Sequence, residues 1–292
     1  MPASRSWECT LTITTKFLPE TMINVLKANR HVYQAARTAR MSFGSLVGAR
    51  SLPGIPGRVH FNDFMLESTE PAGVATYMRC AREVISQLED ALAAAGKTWR
   101  DLRSVLEFGC GYGRITRLLV QKVEPARVTV CDVIGEGARF CAKEFGVRAV
   151  RSSAKIGDFH AEPSDLVFFI SVHTHLSERR LLALQEKLWG LLKPGGVLLF
   201  TTMGSTSAIH TERYGTRWVA LSTRIASDLH ERGFSFHPYG YYSDSDYGMA
   251  WETFEHTTAL IRRLHGDSLR LLQFSEAAGD GHQDVYVYQR VP

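Results

Sequence analysis

One run of seven residues carries the spacing best suited to chemistry: Glu107-Phe108-Gly109-Cys110-Gly111-Tyr112-Gly113. The apolar Val105-Leu106 leads in, an acidic residue follows, and glycine then stands at every second position. Gly109 would let the chain leave a strand sharply. Gly111 would let a ligand approach the backbone, and Gly113 would open a helix whose amides face the same spot. Counted from Gly109, the sixth position is Arg114, so the G-x-G-x-x-G dinucleotide turn fails. No Gly-Lys-Ser/Thr follows the turn, so it is not a phosphate loop either. Asp132 closes a second apolar run, His173 and His175 follow a third, and His282 stands near the C-terminus. Histidine is the usual group for taking a proton from a hydroxyl of high pKa.

The surrounding elements must bring these groups together. Strands are expected at 104–108, 127–131, 147–150, 165–170 and 197–202, alternating with helices near 113–122, 136–145 and from Ser177, the expected N-cap, to Leu191. Strands alternating with helices predict a parallel, doubly wound α/β sheet. Its ligand would lie beyond the carboxyl ends of the strands, where the glycine turn, Asp132, His173 and His175 all fall. Lys193-Pro194-Gly195-Gly196 reads as a turn. Residues 204–250 break the rhythm, with a helix near 219–231 and many aromatics, among them Tyr214, Trp218, Tyr239, Tyr241, Tyr242 and Tyr247. A helix over 253–264 and two strands, 269–274 and 284–289, end the chain. The short Gly279-Asp280-Gly281 link makes that last pair antiparallel. Near the start, helices are expected over 19–41 and 74–95, with a glycine- and proline-rich loop over 42–60 and a short strand or loose tail over 1–15.

Composition sets limits. The 292 residues, 45% hydrophobic and 22% charged, suit one large globular domain with appendages. No apolar run approaches the ~18 residues that span a bilayer, and no signal-peptide core is present, so the expectation is a cytoplasmic protein without stable membrane insertion. The five cysteines, Cys9, Cys80, Cys110, Cys131 and Cys141, show no metal-site spacing. A net charge of +4 gives no nucleic-acid signal. Most of the excess sits in residues 1–60, including Arg5, Lys16, Lys27, Arg37 and Arg40; it reads as a solvated face, or as an arm for an anionic surface.

Four segments carry a resemblance. Glu107 through Gly113 resembles the first motif of the class I S-adenosylmethionine-dependent methyltransferases, and Asp132 resembles their acidic ribose ligand. Asp165-Leu166-Val167 is similar to the start of their fourth strand, and Leu192-Lys193-Pro194-Gly195-Gly196 to the turn before their fifth. The matches come in family order and cover roughly residues 100–205. The resemblance implies a Rossmann-like seven-stranded sheet with an antiparallel last strand. It implies a helical extension or lid over 1–98, a donor-binding domain over 99–292 and an acceptor cap over 204–250. It assigns S-adenosyl-L-methionine as cofactor, with Glu107 near its cationic amino-acid end, Asp132 on the ribose hydroxyls and Ser152 or Ser153 near the adenine. Gly109, Cys110, Gly111, Gly113, Val133 and Ser171 complete the donor site. Read without the family, Glu107 could instead bond a loop amide, and Asp132 could cap the following helix.

The implied reaction moves a methyl group to a small-molecule acceptor, with His173, His175 or His282 as base. Two stretches, 165–176 and His282-Gln283-Asp284-Val285, are also similar to a bacterial group found with glycan and secondary-metabolite genes. That points to a sugar or small-metabolite hydroxyl; a homodimer stays open. Nucleic-acid enzymes of the class carry Asn/Asp-Pro-Pro-aromatic or Pro-Cys motifs. Here Ser171-Val172-His173-Thr174 fills the first place and the chain has no Pro-Cys pair. The alternatives are a catalytically silent binding protein of this fold and, against the Arg114 mismatch, an NAD-type oxidoreductase or epimerase. Asp244 and Asp246, although near histidines, match no metal-site spacing, so no metal is expected.

Overall fold

The computed structural model describes residues 29–153, 159–242 and 244–291. The expected 1–15 segment, the helix start at Pro19, Cys9, and the basic Arg5, Lys16 and Lys27 lie outside these residues.

Helix α1 spans Arg30–Val47, capped by Asn29, whose Oδ1 accepts from the His31 and Val32 amides at 3.0 and 3.3 Å. It runs past the expected end at residue 41 because Gly44 serves packing rather than helix termination. A Cβ there would sit 1.9 Å from Asn62 Oδ1. The expected 42–60 loop is therefore a helix end followed by a hairpin, β1 (Ala49–Ser51) with β2 (Arg58–His60). Helix α2 (Pro71–Ala94) starts with proline, which suits a first helical turn. It buries Met78, Ala81, Ile85, Leu88 and Leu92 along the expected face.

The central sheet has seven strands: β3 (Val105–Phe108), β4 (Val128–Asp132), β5 (Arg148–Arg151), β6 (Ser164–Phe169), β7 (Leu192–Met203), β10 (Leu269–Gly279) and β11 (Gln283–Arg290). Their order is β10-β11-β7-β6-β3-β4-β5. Strands β3 to β7 run parallel, while β11 is antiparallel to both β7 and β10. This is the expected Rossmann-like sheet with its reversed end. Strand β3 lies between β4 and β6, so the chain order reverses beside it, and a crevice opens where crossovers leave to opposite faces. Both faces are covered, one mainly by α2, the segment after the glycine turn and helix α4 (Gly135–Phe145), the other mainly by α5 (Glu178–Gly190) and α8 (Phe254–His265). That double cover explains the unbroken apolar β6.

Three local details differ from expectation. The helix after the glycine turn is regular only over α3 (Thr116–Leu119), because Gly113, at φ 82°, lies outside helical geometry. The 193–196 turn is a bulge within β7: Leu192 pairs with Ser164, and Val197 already with Leu166. Ser177 occupies the N-cap position of α5, but its hydroxyl donates to Asp246 Oδ1 at 2.8 Å.

Residues 204–250 contain α6 (Ser205–Ile209), α7 (Thr216–Arg232) and strand β8 (Phe234–Pro238), which pairs with β9 (Gly248–Glu252). A Leu176–Tyr247 bridge fastens this unit beside the carboxyl end of β6. Trp218 and Trp251 are buried within it, and Tyr33 of α1 packs on Tyr241 at 4.8 Å. Among the described residues, no helix is long and apolar enough to cross a membrane.

Candidate active site

The crevice at the carboxyl ends of β3 and β4 holds a cavity of about 380 Å³. Its walls include Glu107, Gly109, Cys110, Gly111, Asp132 and Val133, with Ser152, Ser153 and Ser171 close behind. Gly113 does not line it. The turn itself needs glycine, since φ is 82° at Gly109 and 54° at Gly111. A Cβ on Gly109 would lie 2.7 Å from Val172, whereas one on Gly111 would meet nothing within 4 Å. Gly111 therefore faces open space, where a ligand can reach the backbone.

The two carboxylates beside the glycine turn are held differently. Asp132 accepts the Gly111 amide on Oδ2 and the Ile134 amide on Oδ1, both at 2.7 Å. Each oxygen keeps a further lone pair for a hydroxyl. Burial raises the Asp132 pKa above the usual carboxylate value, against those two amide bonds. Glu107 is buried, and its Oε2 accepts from Thr116 Oγ1 at 2.7 Å. Its Oε1 is buried without a partner. Burial drives the Glu107 pKa up to about 8, against the Thr116 hydrogen bond. A buried carboxylate oxygen lacking a partner costs free energy unless a cation or donor arrives.

The N-terminal elements roof this cavity with Arg37, Phe64 and Met65. They are held down by Glu136 of α4, which accepts from Tyr112 Oη at 2.5 Å, Asn62 Nδ2 at 3.0 Å and Ser45 Oγ. Arg117 clamps the hairpin from below. Its buried guanidinium donates to Gly113 O at 3.0 Å and to Pro56 O at 2.8 Å, and it lies over the Tyr77 and Phe145 rings. Arg117 falls between core positions of the expected helical stripe, and nothing in its local pattern marks it.

A second cavity, of about 80 Å³, adjoins the first and shares Met65, Arg114, Ile170, Ser171 and His175 with it. His175 and His282 both line it, joined by Thr201, Tyr239 and Gln283. Ser171 sits at the junction with φ 58°, a left-handed conformation rare for serine and worth ~1–3 kcal/mol of strain. Its amide donates to Thr201 Oγ1 at 2.9 Å, and its hydroxyl to Gln283 Oε1 at 3.0 Å. His175 Nδ1 lies 3.2 Å from the Gly248 carbonyl and 2.8 Å from Tyr239 Oη. A carbonyl only accepts, so the tautomer that serves Gly248 has its proton on Nδ1 and its lone pair on Nε2. Burial lowers the His175 pKa to about 4, against the Gly248 hydrogen bond. Burial also lowers that of His282, whose Nδ1 lies 3.0 Å from Asp280 O. Asp244 and Asp246 are engaged by Arg180 and Arg179.

His173 lines neither cavity. It is fully buried, with Nδ1 3.1 Å from Glu252 Oε1 and Nε2 2.9 Å from Gln185 Nε2. It joins the sheet to β9 rather than facing the crevice. Burial works against the charge on Glu252, but His173, His256 and the Thr257 hydroxyl together outweigh it and keep that carboxyl below its usual range. His173→Ala is expected to lower the unfolding free energy by ~3–5 kcal/mol, since it strands a buried charge. Chemical denaturation with parallel rate measurements checks this: the folded fraction should keep its turnover per molecule. A variant of normal stability and no turnover would instead put His173 in the reaction.

Residues 105–196 match the family described as "Methyltransferase domain". These residues are a methyltransferase domain. Over 113 residues the chain is 32% identical to the malonyl-[acyl-carrier protein] O-methyltransferase of Priestia megaterium, a stretch covering 35% of this chain and 37% of that protein. The chain thus matches little more than a third of that relative's length. Among solved structures, the N-methyltransferase NodS of Bradyrhizobium japonicum WM9 is 14% identical over 75% of this chain and 88% of its own, with a TM-score of 0.44. The glycopeptide N-methyltransferase MtfA is 15% identical over 74% and 90%, with a TM-score of 0.48. At such values neither likeness carries an argument. The residues present fit S-adenosyl-L-methionine, the donor that the sequence resemblance implies. The orphaned Oε1 of Glu107 suits an ammonium, the spare lone pairs of Asp132 suit ribose hydroxyls, and open space at Gly111 admits the ligand.

Proposed function

We propose that the whole chain transfers a methyl group from S-adenosylmethionine to a hydroxyl of a small molecule, a sugar or a secondary metabolite. The observation that carries this reading is the junction of the two cavities, where Ser171 and His175 belong to both. The relative's printed activity, an O-methylation, agrees with it. The N-terminal elements act as a lid on the donor side, and residues 204–250 as the acceptor cap. The buried free thiols of Cys80, Cys110, Cys131 and Cys141 suit a reducing compartment, and we place the reaction in the cytoplasm.

When bound, S-adenosylmethionine supplies a methyl group activated by a positive sulfur. The protein's part is alignment and proton removal. Glu107 would hold the amino group of the donor, Arg114 its carboxylate and Asp132 its ribose. Ser171, Thr201 and Gln283 fix the acceptor side of the junction. His175, neutral because it is buried, takes the hydroxyl proton on Nε2, while the Gly248 carbonyl and Tyr239 hold its ring; His282 stands behind it.

His175→Gln is expected to lower kcat by about 10²–10⁴-fold while leaving donor affinity within twofold. With the donor saturating, kcat/KM for the acceptor should rise as pH increases through about 4, where His175 loses its proton, and stay level above that. Full turnover in the variant would remove His175 as the base. Donor binding without methylation of any acceptor would instead favour a silent binding protein.

A further inference from the structure

We propose that the acceptor is an uncharged molecule that presents one hydroxylated, mostly apolar ring, and is neither a sugar nor an anion. This rests on the methyltransferase reading and narrows it. The acceptor cavity, about 80 Å³, is small. In a measure where one water takes about 10–15 Å³, it holds roughly six water-sized groups, the size of a single six-membered ring.

The distribution of polarity decides which ring. The walls supplied by the segment before α2, by α2, the end of β7, β9 and the cap are Met65, Val84, Met203, Tyr214, Tyr239 and Met249. Thioethers and aromatic faces receive a flat apolar body and adapt to its outline. The polar lining falls in two places: Ser171, Thr201 and Gln283 bond one another beside His175 at the junction, and Glu83, Gln87 and Asp280 lie on the α2 side, the two acids tied up with Arg79. A ring with a single hydroxyl at the junction is met on all sides. A sugar would turn several hydroxyls onto methionine and valine, and each left unpaired would cost affinity. The apolar side offers one buried polar atom without a partner, Gln87 Oε1, enough for one further donor on the ring.

Charge removes anions. Glu83 and Asp280 line the same cavity. Arg79 holds both, at 3.3 and 2.6 Å, and Glu83 Oε1 also accepts the Asp280 amide at 2.8 Å. The cation at the junction, Arg114, is the one the donor's carboxylate would take. An acceptor carboxylate would meet the two acids and, of the remaining lining, only His175 and His282, whose charged forms burial disfavours. In the transfer, the acceptor oxygen bonds the methyl carbon as the carbon–sulfur bond breaks. The electron pair stays on sulfur, which becomes a neutral thioether, and the hydroxyl proton passes to His175 Nε2.

The test uses the full chain saturated with S-adenosylhomocysteine, whose binding is first established by calorimetry. Phenol, catechol, 4-hydroxybenzoate and methyl glucoside are then titrated and followed by ligand-observed NMR. Phenol and catechol are expected to bind at least tenfold more tightly than the other two. Met249→Trp, and Val84→Phe from a different element, should each abolish phenol binding and leave S-adenosylhomocysteine affinity unchanged. Equal or tighter binding of the glucoside or the benzoate overturns the proposal, as does absence of phenol binding at millimolar concentration. If S-adenosylhomocysteine itself does not bind, the methyltransferase reading fails; if it binds and phenol does not, only the acceptor class fails.

Discussion

Asp132→Ala is expected to weaken S-adenosylmethionine binding by at least 100-fold. Two causes act together. The substitution removes the carboxylate that would accept the ribose hydroxyls, and hydrogen bonds to charged groups are worth ~1.5–3 kcal/mol each. It also releases the Gly111 and Ile134 amides, both held at 2.7 Å, so the glycine turn loses its anchor to the end of β4. Asp132→Asn separates the two causes. Its side-chain oxygen can keep one amide in place, and its amino group repels the other, so affinity should fall between native and alanine. Calorimetry on the three proteins, with circular dichroism to confirm the fold, checks the order. Native affinity in the alanine variant would move the ribose site elsewhere.

The second large effect concerns Glu107, whose pKa of about 8 makes it a protonated, neutral acid in the ligand-free protein at moderate pH. Its ordinary value, 4.5, applies to the unfolded chain. The folded value is the higher one, so the stability this group contributes is fully present below 4.5 and is lost as pH rises through about 8. With each pK unit worth ~1.4 kcal/mol, the loss is at most ~5 kcal/mol. Glu107→Gln lacks this titration. Native protein and variant should therefore melt alike near pH 5, and the variant should be the more stable at pH 8. Donor binding should release a proton at pH 6.5, because an ammonium at Oε1 favours the charged form. Calorimetry in buffers of different ionisation heat reads that proton directly. A stability gap that does not change with pH, or binding without proton release, would contradict a buried neutral Glu107.

Much of this site is legible in the chain because strands and turns are local. The apolar runs before Glu107, Asp132 and Ser171 are each buried as sheet strands, and the spacing of Gly109 and Gly111 places the turn without further information. The acceptor side is not local. His175, Thr201, Tyr239 and Gln283 come from four separate segments, and they meet only because β7 lies between β6 and β11 and the cap folds back over them. His173 and His175 look equivalent in sequence, yet they point to opposite environments within one short 3₁₀ turn. Gly44 misleads for a related reason: a glycine that ends a helix and one that admits a neighbouring side chain look the same until Asn62 is in place. Strands β8 and β9 are short and flanked by glycine and tyrosine, so tertiary pairing rather than local pattern makes them strands.

The most direct measurement is a calorimetric titration of the full chain with S-adenosylmethionine and with S-adenosylhomocysteine. Saturable one-to-one binding of both, much reduced in Asp132→Ala, is the expected result. No heat at high micromolar ligand, or equal binding by the variant, would contradict the donor site built on Glu107, the glycine turn and Asp132.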